Sequence, residues 1–273
     1  MKVFMSGLRK HGRRQATRLT FGLLAGLLVL IVLAVGATAD RPGATAVQRA
    51  AALSLVTFPG AYDQILSFIL GLGGLFAVIF GAAIAGSEWT WGTLKNAVAR
   101  GQSRSYYTLV SFASIAFVIA VGLVVTFAIG VVAALLGANI AGTSTAGLTD
   151  SSTLARLPEQ FARGGVAIIM EGGIGFTIAT LARSQLAGIG AGIGLYFATT
   201  FATIFLPDIV KFLPFSVATA AVATGTSGAG FRDGGGFQVV ALDPNAAMLM
   251  VVVWLIGALA VAAVFTERAE ISG

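Results

Sequence analysis

Residues 19–39, 65–86, 108–140, 164–182, 186–206 and 246–265 are apolar runs with almost no charge, and they decide what this chain can fold into. A helix needs roughly 20 residues to cross the hydrocarbon core of a bilayer. No water is present there to satisfy backbone groups, so spanning segments are helices or closed barrels, and uninterrupted apolar runs argue for helices. The run 108–140 is about 50 Å long at 1.5 Å per residue, which predicts that it tilts or extends past the bilayer. Only Arg183, Ser184 and Gln185 separate the fourth run from the fifth, which predicts a tight antiparallel pair. Composition agrees: 10% of the residues are charged, against about 25% in a soluble domain. The expected fold is an all-α integral membrane protein with six transmembrane helices, both termini cytoplasmic, and a short amphipathic helix between the second and third spans.

The chain divides into a basic N-terminal segment (1–18), a six-span domain (19–267) and a short tail (268–273). Three connections, 40–64, 141–163 and 207–245, fall on one side. They hold Pro42, Pro59, Pro158, Pro207, Pro214 and Pro244, all the prolines of the chain. Proline is unfavourable inside a helix, which supports these boundaries. Gly234-Gly235-Gly236 marks turns, and residues 208–222 are apolar enough for a short re-entrant or interfacial helix. With the N-terminus inside, Lys2, Arg9, Lys10, Arg13, Arg14, Arg18, Lys95, Arg100, Arg104, Arg183 and Arg268 lie inside. Arg41, Arg49, Arg156, Arg163, Lys211 and Arg232 lie outside. That excess sets the orientation and suits a bacterial plasma membrane. Ala37-Thr38-Ala39 after the first run resembles a signal-peptide cleavage site. That run, however, is longer than a signal core, and five more follow.

Residues 87–104 form a polar island between the second and third runs. Thr93 can cap a short helix with Leu94, Ala97 and Val98 on one face and Lys95 and Asn96 beside it. Arg100 suits the last turn and Gly101 the stop. Ser103 can cap the third span, with Tyr106 and Tyr107 at the interface. Gly92 breaks the chain before the short helix. Trp89, Trp91 and Leu94 offer anchors of the kind that dominate protein interfaces.

The string from Gly86 through Glu88, Trp89, Trp91, Gly92, Thr93 and Leu94 to Lys95, followed by Arg100-Gly101-Gln102-Ser103-Arg104, resembles a pattern in permease subunits of ABC-2 type ATP-binding-cassette exporters. The resemblance covers about 18 residues by motif and the whole chain by architecture. It implies that residues 88–104 form a coupling helix seated in a cleft of a separate ATPase subunit. It also implies two such ATPases carrying ATP and Mg, and a second permease chain, identical or a paralogue. No G-x-x-x-x-G-K-[ST] phosphate loop occurs, so ATP hydrolysis by that route falls to another polypeptide.

Glu171 is the one acid well inside a predicted span. Burying it costs roughly 3 kcal/mol on insertion scales, so it is expected to face a cavity, a partner or the bundle interior. It can line the substrate path and attract a cation, or it can serve packing. His11, the only histidine, is expected to be a solvated tail residue. With no cysteine, thiol chemistry and disulfides are excluded. Gly22 and Gly26, and Gly188, Gly190, Gly192 and Gly194, have the spacing of close helix packing, and the first pair also suits dimer contact. The basic segment, with Val3, Phe4 and Leu8, suits an interfacial helix on anionic lipid, and its charge is a topology signal rather than a nucleic-acid site. The expected role is therefore a transport subunit, not an enzyme, with hydrophobic drug-like, peptide or lipid cargo. An ion- or proton-coupled carrier using Glu171 is the alternative. An intramembrane enzyme lacks the paired constellation it would need.

Overall fold

The computed structural model describes residues 2–38, 43, 45–222 and 242–269. Gly234-Gly235-Gly236, Arg232, Arg41, Pro42 and most of the tail 268–273 lie outside them. Among the described residues no strand occurs. The helices are α1 (Lys2–Arg13), α2 (Gln15–Thr38), α3 (Ala46–Ser54), α4 (Gly60–Thr90), α5 (Thr93–Ala99), α6 (Arg104–Ile140), α7 (Ser151–Ala182), α8 (Gln185–Phe205), α9 (Pro207–Val210), α10 (Pro214–Ala221) and α11 (Pro244–Arg268), with a 3₁₀ turn at Ala146–Thr149. Five of them, α2, α4, α6, α7 and α11, are long and apolar enough to cross a membrane. The protein is an all-α, multi-pass membrane protein. The 21-residue α8 occupies the position of the fifth expected run.

Contacts fix the relative directions of these helices. Gly122 faces Phe21, Gly130 faces Leu28 and Gly137 faces Val32, so α2 and α6 run parallel. Gly74 meets Glu171 and Val78 meets Gly175, so α4 and α7 run parallel. Gly173 lies against Leu255, and Thr177 donates to the Ala258 carbonyl, which aligns α11 with α7. Tyr196 of α8 donates to the Gly71 carbonyl while Gly86 touches Gln185, so α8 opposes α4. The α4–α7 contact is backbone on backbone. A Cβ built on Gly81 would lie 2.1 Å from the Gly172 carbonyl oxygen, and one on Gly175 would lie 2.1 Å from that of Val78. Only glycine permits that approach. Gly188 and Gly192 likewise meet Ala179 and Val78, whereas Gly22, Gly26, Gly190 and Gly194 have nothing within 4 Å of a built Cβ.

Four prolines stand at helix entrances. Pro207, Pro214 and Pro244 take the first positions of α9, α10 and α11, and Pro59 directly precedes α4. Pro158 is a correction, because it lies inside α7. The helix runs through it because the Asp150 carboxylate caps the helix start at the Thr153 N–H, 2.8 Å away, and Gln160, just after the proline, is drawn inward to Asp63. One lost backbone bond at Pro158 does not outweigh that packing. The second span also starts earlier than expected, at Gly60, because Tyr62 is buried and donates to the Leu148 carbonyl. The apolar stretch 208–222 divides into α9 and α10. Phe215 and Val217 are buried. Arg163 ties the end of α10 to α11 through the Ala221 and Pro244 carbonyls and Asn245.

Candidate functional site

One end of the bundle gathers α1, the end of α4, α5, the start of α6, the α7–α8 turn and the end of α11. The polar island builds its centre. After α4, Gly92 adopts φ +62°, a left-handed conformation open to glycine at no steric cost, and turns the chain into α5. Gly101 at φ +81° ends that helix, and α6 begins at Arg104. Gly92 is the residue before α5, so Thr93 is not its cap. The Thr93 hydroxyl turns back instead and donates to the Glu88 carbonyl at 3.0 Å and to the Glu88 carboxylate. Ser103 precedes α6 without a side-chain capping bond.

Glu88 is the hub of this end and is buried. Lys10 of α1 pairs with Oε1, and Arg14 lies 3.6 Å from the same oxygen. Thr93 and Tyr107 both donate to Oε2. Arg14 also donates to the Ser87 hydroxyl at 2.7 Å. One carboxylate therefore joins α1, α4, α5 and α6. The expectation that Tyr107 sits in an interfacial belt is corrected: its hydroxyl is drawn inward by this carboxylate, while Tyr106 is exposed.

The anchors expected of the island separate. Leu94 and Ala97 are buried and seat α5 on the bundle. Trp89 packs edge-on against Phe265 and carries the Arg183 guanidinium 5.1 Å over its ring. Trp91 is 63% exposed, with Arg14 4.9 Å over its ring. Lys95, Asn96 and Arg100 are exposed on α5. Arg104 is turned to the C-terminal helix and donates to the Glu267 and Ala269 carbonyls. Arg183 takes φ +50° in the turn, where Ser184 then caps α8 at the Ala187 N–H. The outward surface of the island thus includes Trp91, Lys95, Asn96 and Arg100. Trp89, Gly92, Thr93, Leu94 and Arg104 shape it from within. Glu171 lies away from this end. It is 2% exposed in mid-α7, with its carboxylate pressed against the bare Cα of Gly74.

His11 corrects the sequence expectation most sharply. It is 1% exposed, and its Nε2 lies 3.0 Å from the Ser114 hydroxyl. The helix approaches closely here because a Cβ on Gly7 would lie 2.6 Å from the Ser114 oxygen. Burial first, then the Arg14 and Lys10 charges against the pull of Glu88, lower its pKa from 6.5 to about 4. The folded value lies below the unfolded one. The docked α1 therefore keeps its full stability above pH 6.5 and loses it progressively as pH falls from 6.5 towards 4. Because Arg14 stacks on Trp91, undocking alters the Trp91 environment. Tryptophan emission of the purified protein is expected to change over that window, and His11→Gln to flatten the change. An unaltered pH profile in His11→Gln would contradict this.

Sequence reasoning missed His11, Arg14, Ser87 and Tyr107. A signal was present: Lys10 and Arg14 share a helix face at i, i+4 spacing, and Glu88 is the only acid of the island. No group of three or more metal-ligating side chains occurs among the described residues. A small cavity beside the hub is lined by Glu88, Tyr107, Thr108, Ser111, Thr180 and Thr266. Its hydroxyls at Thr108, Thr180 and Thr266 donate to carbonyls of their own helices. What the arrangement offers is a junction in which one carboxylate links α1, α4, α5 and α6.

Fold and site together define a multi-pass helical membrane protein with a polar junction at one end of its bundle. The chain belongs to the family described as Protein of unknown function (DUF2705), whose family model matches residues 45–262. No curated protein matches it.

Proposed function

We propose that the chain is the membrane-spanning permease subunit of an ATP-driven exporter of the ABC-2 type. Residues 87–104 receive the stroke of a separate ATPase. The observation that carries this reading is the junction. A short helix between two spans exposes Trp91, Lys95, Asn96 and Arg100, while its other face and Glu88 are locked to three neighbouring elements. The helix directions support six spans with both termini on one side: α2 and α6 run parallel, α4, α7 and α11 run parallel, and α8 opposes α4; the excess of basic residues on that side supports its being the cytoplasmic one. Two permease chains and two ATPases form the working unit in the cell membrane, and ATP and Mg belong to the ATPases. The cargo is hydrophobic: drug-like, peptide or lipid. Glu171, buried in a span, supports the second reading, an ion- or proton-coupled carrier.

Expressed with its chromosomal neighbours and extracted in mild detergent, the chain is expected to co-purify with a phosphate-loop ATPase whose turnover falls when Gly92 is replaced by Val. Val at a left-handed position is strained and displaces α5. Transport by the purified chain alone, driven by an ion gradient and abolished by Glu171→Gln, would establish the carrier instead.

A further inference from the structure

The N-terminal helix carries three stripes at i, i+3 or i, i+4 spacing, and among the described residues two of them meet the rest of the chain. Phe4, Gly7 and His11 face α6: the Phe4 ring meets Phe117 at 6.1 Å, and Gly7 and His11 meet Ser114. Lys10 and Arg14 face Glu88. The third stripe, Met5, Arg9 and Arg13, is exposed, and Arg18 continues it on the first turns of α2 beside exposed Leu19. Phe4, expected on the lipid-facing side, is thus turned towards α6, and the arginines are left outside.

We propose that Arg9, Arg13 and Arg18 bind the headgroup phosphates of anionic membrane lipids and hold α1 against the bundle at headgroup level. Charge complementarity supports this occupant. Residues 1–39 contain no acid, and among the described residues none of the three arginines has an ion-pair partner. Position supports it too. Arg14 alone separates α1 from α2, a helix long and apolar enough to cross a membrane, which puts Arg13 and Arg18 beside the start of that helix. Exposed Met5 and Leu19 beside the arginines give the apolar flank that such a boundary accommodates. A guanidinium engages phosphate with two parallel N–H donors, which suits arginine over lysine outside while Lys10 is turned to Glu88. This inference is independent of the exporter reading and stands whichever transport mechanism is correct.

The test uses the full-length protein reconstituted in phosphatidylcholine bilayers with about 30% phosphatidylglycerol, which gives the bilayer a negative surface. After mild extraction, lipids retained per chain are counted by native mass spectrometry. Wild type is expected to retain phosphatidylglycerol well above its share of the mixture, and to lose that excess in high salt. Each basic residue at the surface contributes about five-fold in affinity, so Arg9→Gln/Arg13→Gln is expected to weaken retention by roughly an order of magnitude or more. Arg9→Lys/Arg13→Lys keeps most of it. Lys95→Gln/Arg100→Gln, the same loss of charge on the outward surface of the junction, serves as the comparison and weakens retention far less. The single Arg9→Gln and Arg13→Gln variants supply the reading should the double variant fail to fold. Retention equal to wild type in folded Gln variants overturns the proposal and leaves the stripe as a topology signal. Capture of an acidic protein with no lipid excess overturns it in favour of a protein partner.

Discussion

Glu88→Ala is expected to lower stability by about 3 kcal/mol and to release α1 from the bundle. Removing one partner of a buried ion pair costs roughly 3–5 kcal/mol, because the other charge stays desolvated and unpaired. Here the lost carboxylate is buried, and the Arg14 side chain beside it is 12% exposed. Lys10 is 32% exposed and can reach water, which places the cost at the lower end of that range. Tyr107 and Thr93 lose an acceptor in the same step. Glu88→Gln keeps an acceptor for those hydroxyls and loses only the charge, so its cost is smaller. Thermal unfolding in detergent and limited proteolysis after Arg9 and Arg13 read the two effects. A double-mutant cycle with Lys10→Met isolates the pair. Wild-type stability in Glu88→Ala, with α1 still protected, would show that the hub does not hold the helix.

Gly81→Ala is expected to cost about 3 kcal/mol and to reduce the yield of folded protein, the upper end of the usual overpacking penalty. The added methyl would fall 2.1 Å from the Gly172 carbonyl oxygen and 3.2 Å from the Phe176 nitrogen. Both are backbone atoms of a helix and cannot rotate aside, so α4 and α7 must separate along their length. Gly190→Ala meets nothing within 4 Å and is expected to be nearly neutral in the single chain. Comparable melting temperatures for the two variants would contradict the close α4–α7 contact.

Much of the fold was legible because membrane helices announce themselves by length and apolarity. The helices α2, α6, α8 and α11 lie where the apolar runs placed them. The starts of α4 and α7 were not legible, since Tyr62, Asp63 and Gln160 are polar by type and enter the helices only because they find each other and Leu148 across the bundle. The polar island was legible as a helix between two glycine breaks, because the left-handed turns at Gly92 and Gly101 are local chemistry. Which of its side chains face outward was not. Leu94 read as an anchor for a partner and is in fact the anchor to the bundle; Glu88 read as part of a docking surface and is the internal hub. Leu94 is seated by α5 on α4 and α6, whereas the Glu88 outcome depends on α1, 78 residues away at Lys10, and no local pattern carries that distance. His11 was misread for the same reason: burial of a histidine is set by what covers it, here Gly7 and Ser114.

The proposed coupling requires the exposed surface of residues 91–100 to meet a cytosolic motor. The direct measurement is site-specific photocrosslinking in intact cells, with a photoreactive residue placed singly at Trp91, Lys95 or Arg100, and at Leu186 for comparison. Those three positions are exposed at the junction, whereas Leu186, also exposed, begins α8 beyond the α7–α8 turn. The junction positions are expected to crosslink to one soluble phosphate-loop ATPase, Leu186 to do so far less, and the crosslinked complex to contain the intact chain. Junction positions that crosslink only to lipid or to a second copy of this chain, in cells where the protein is folded and active, would contradict it.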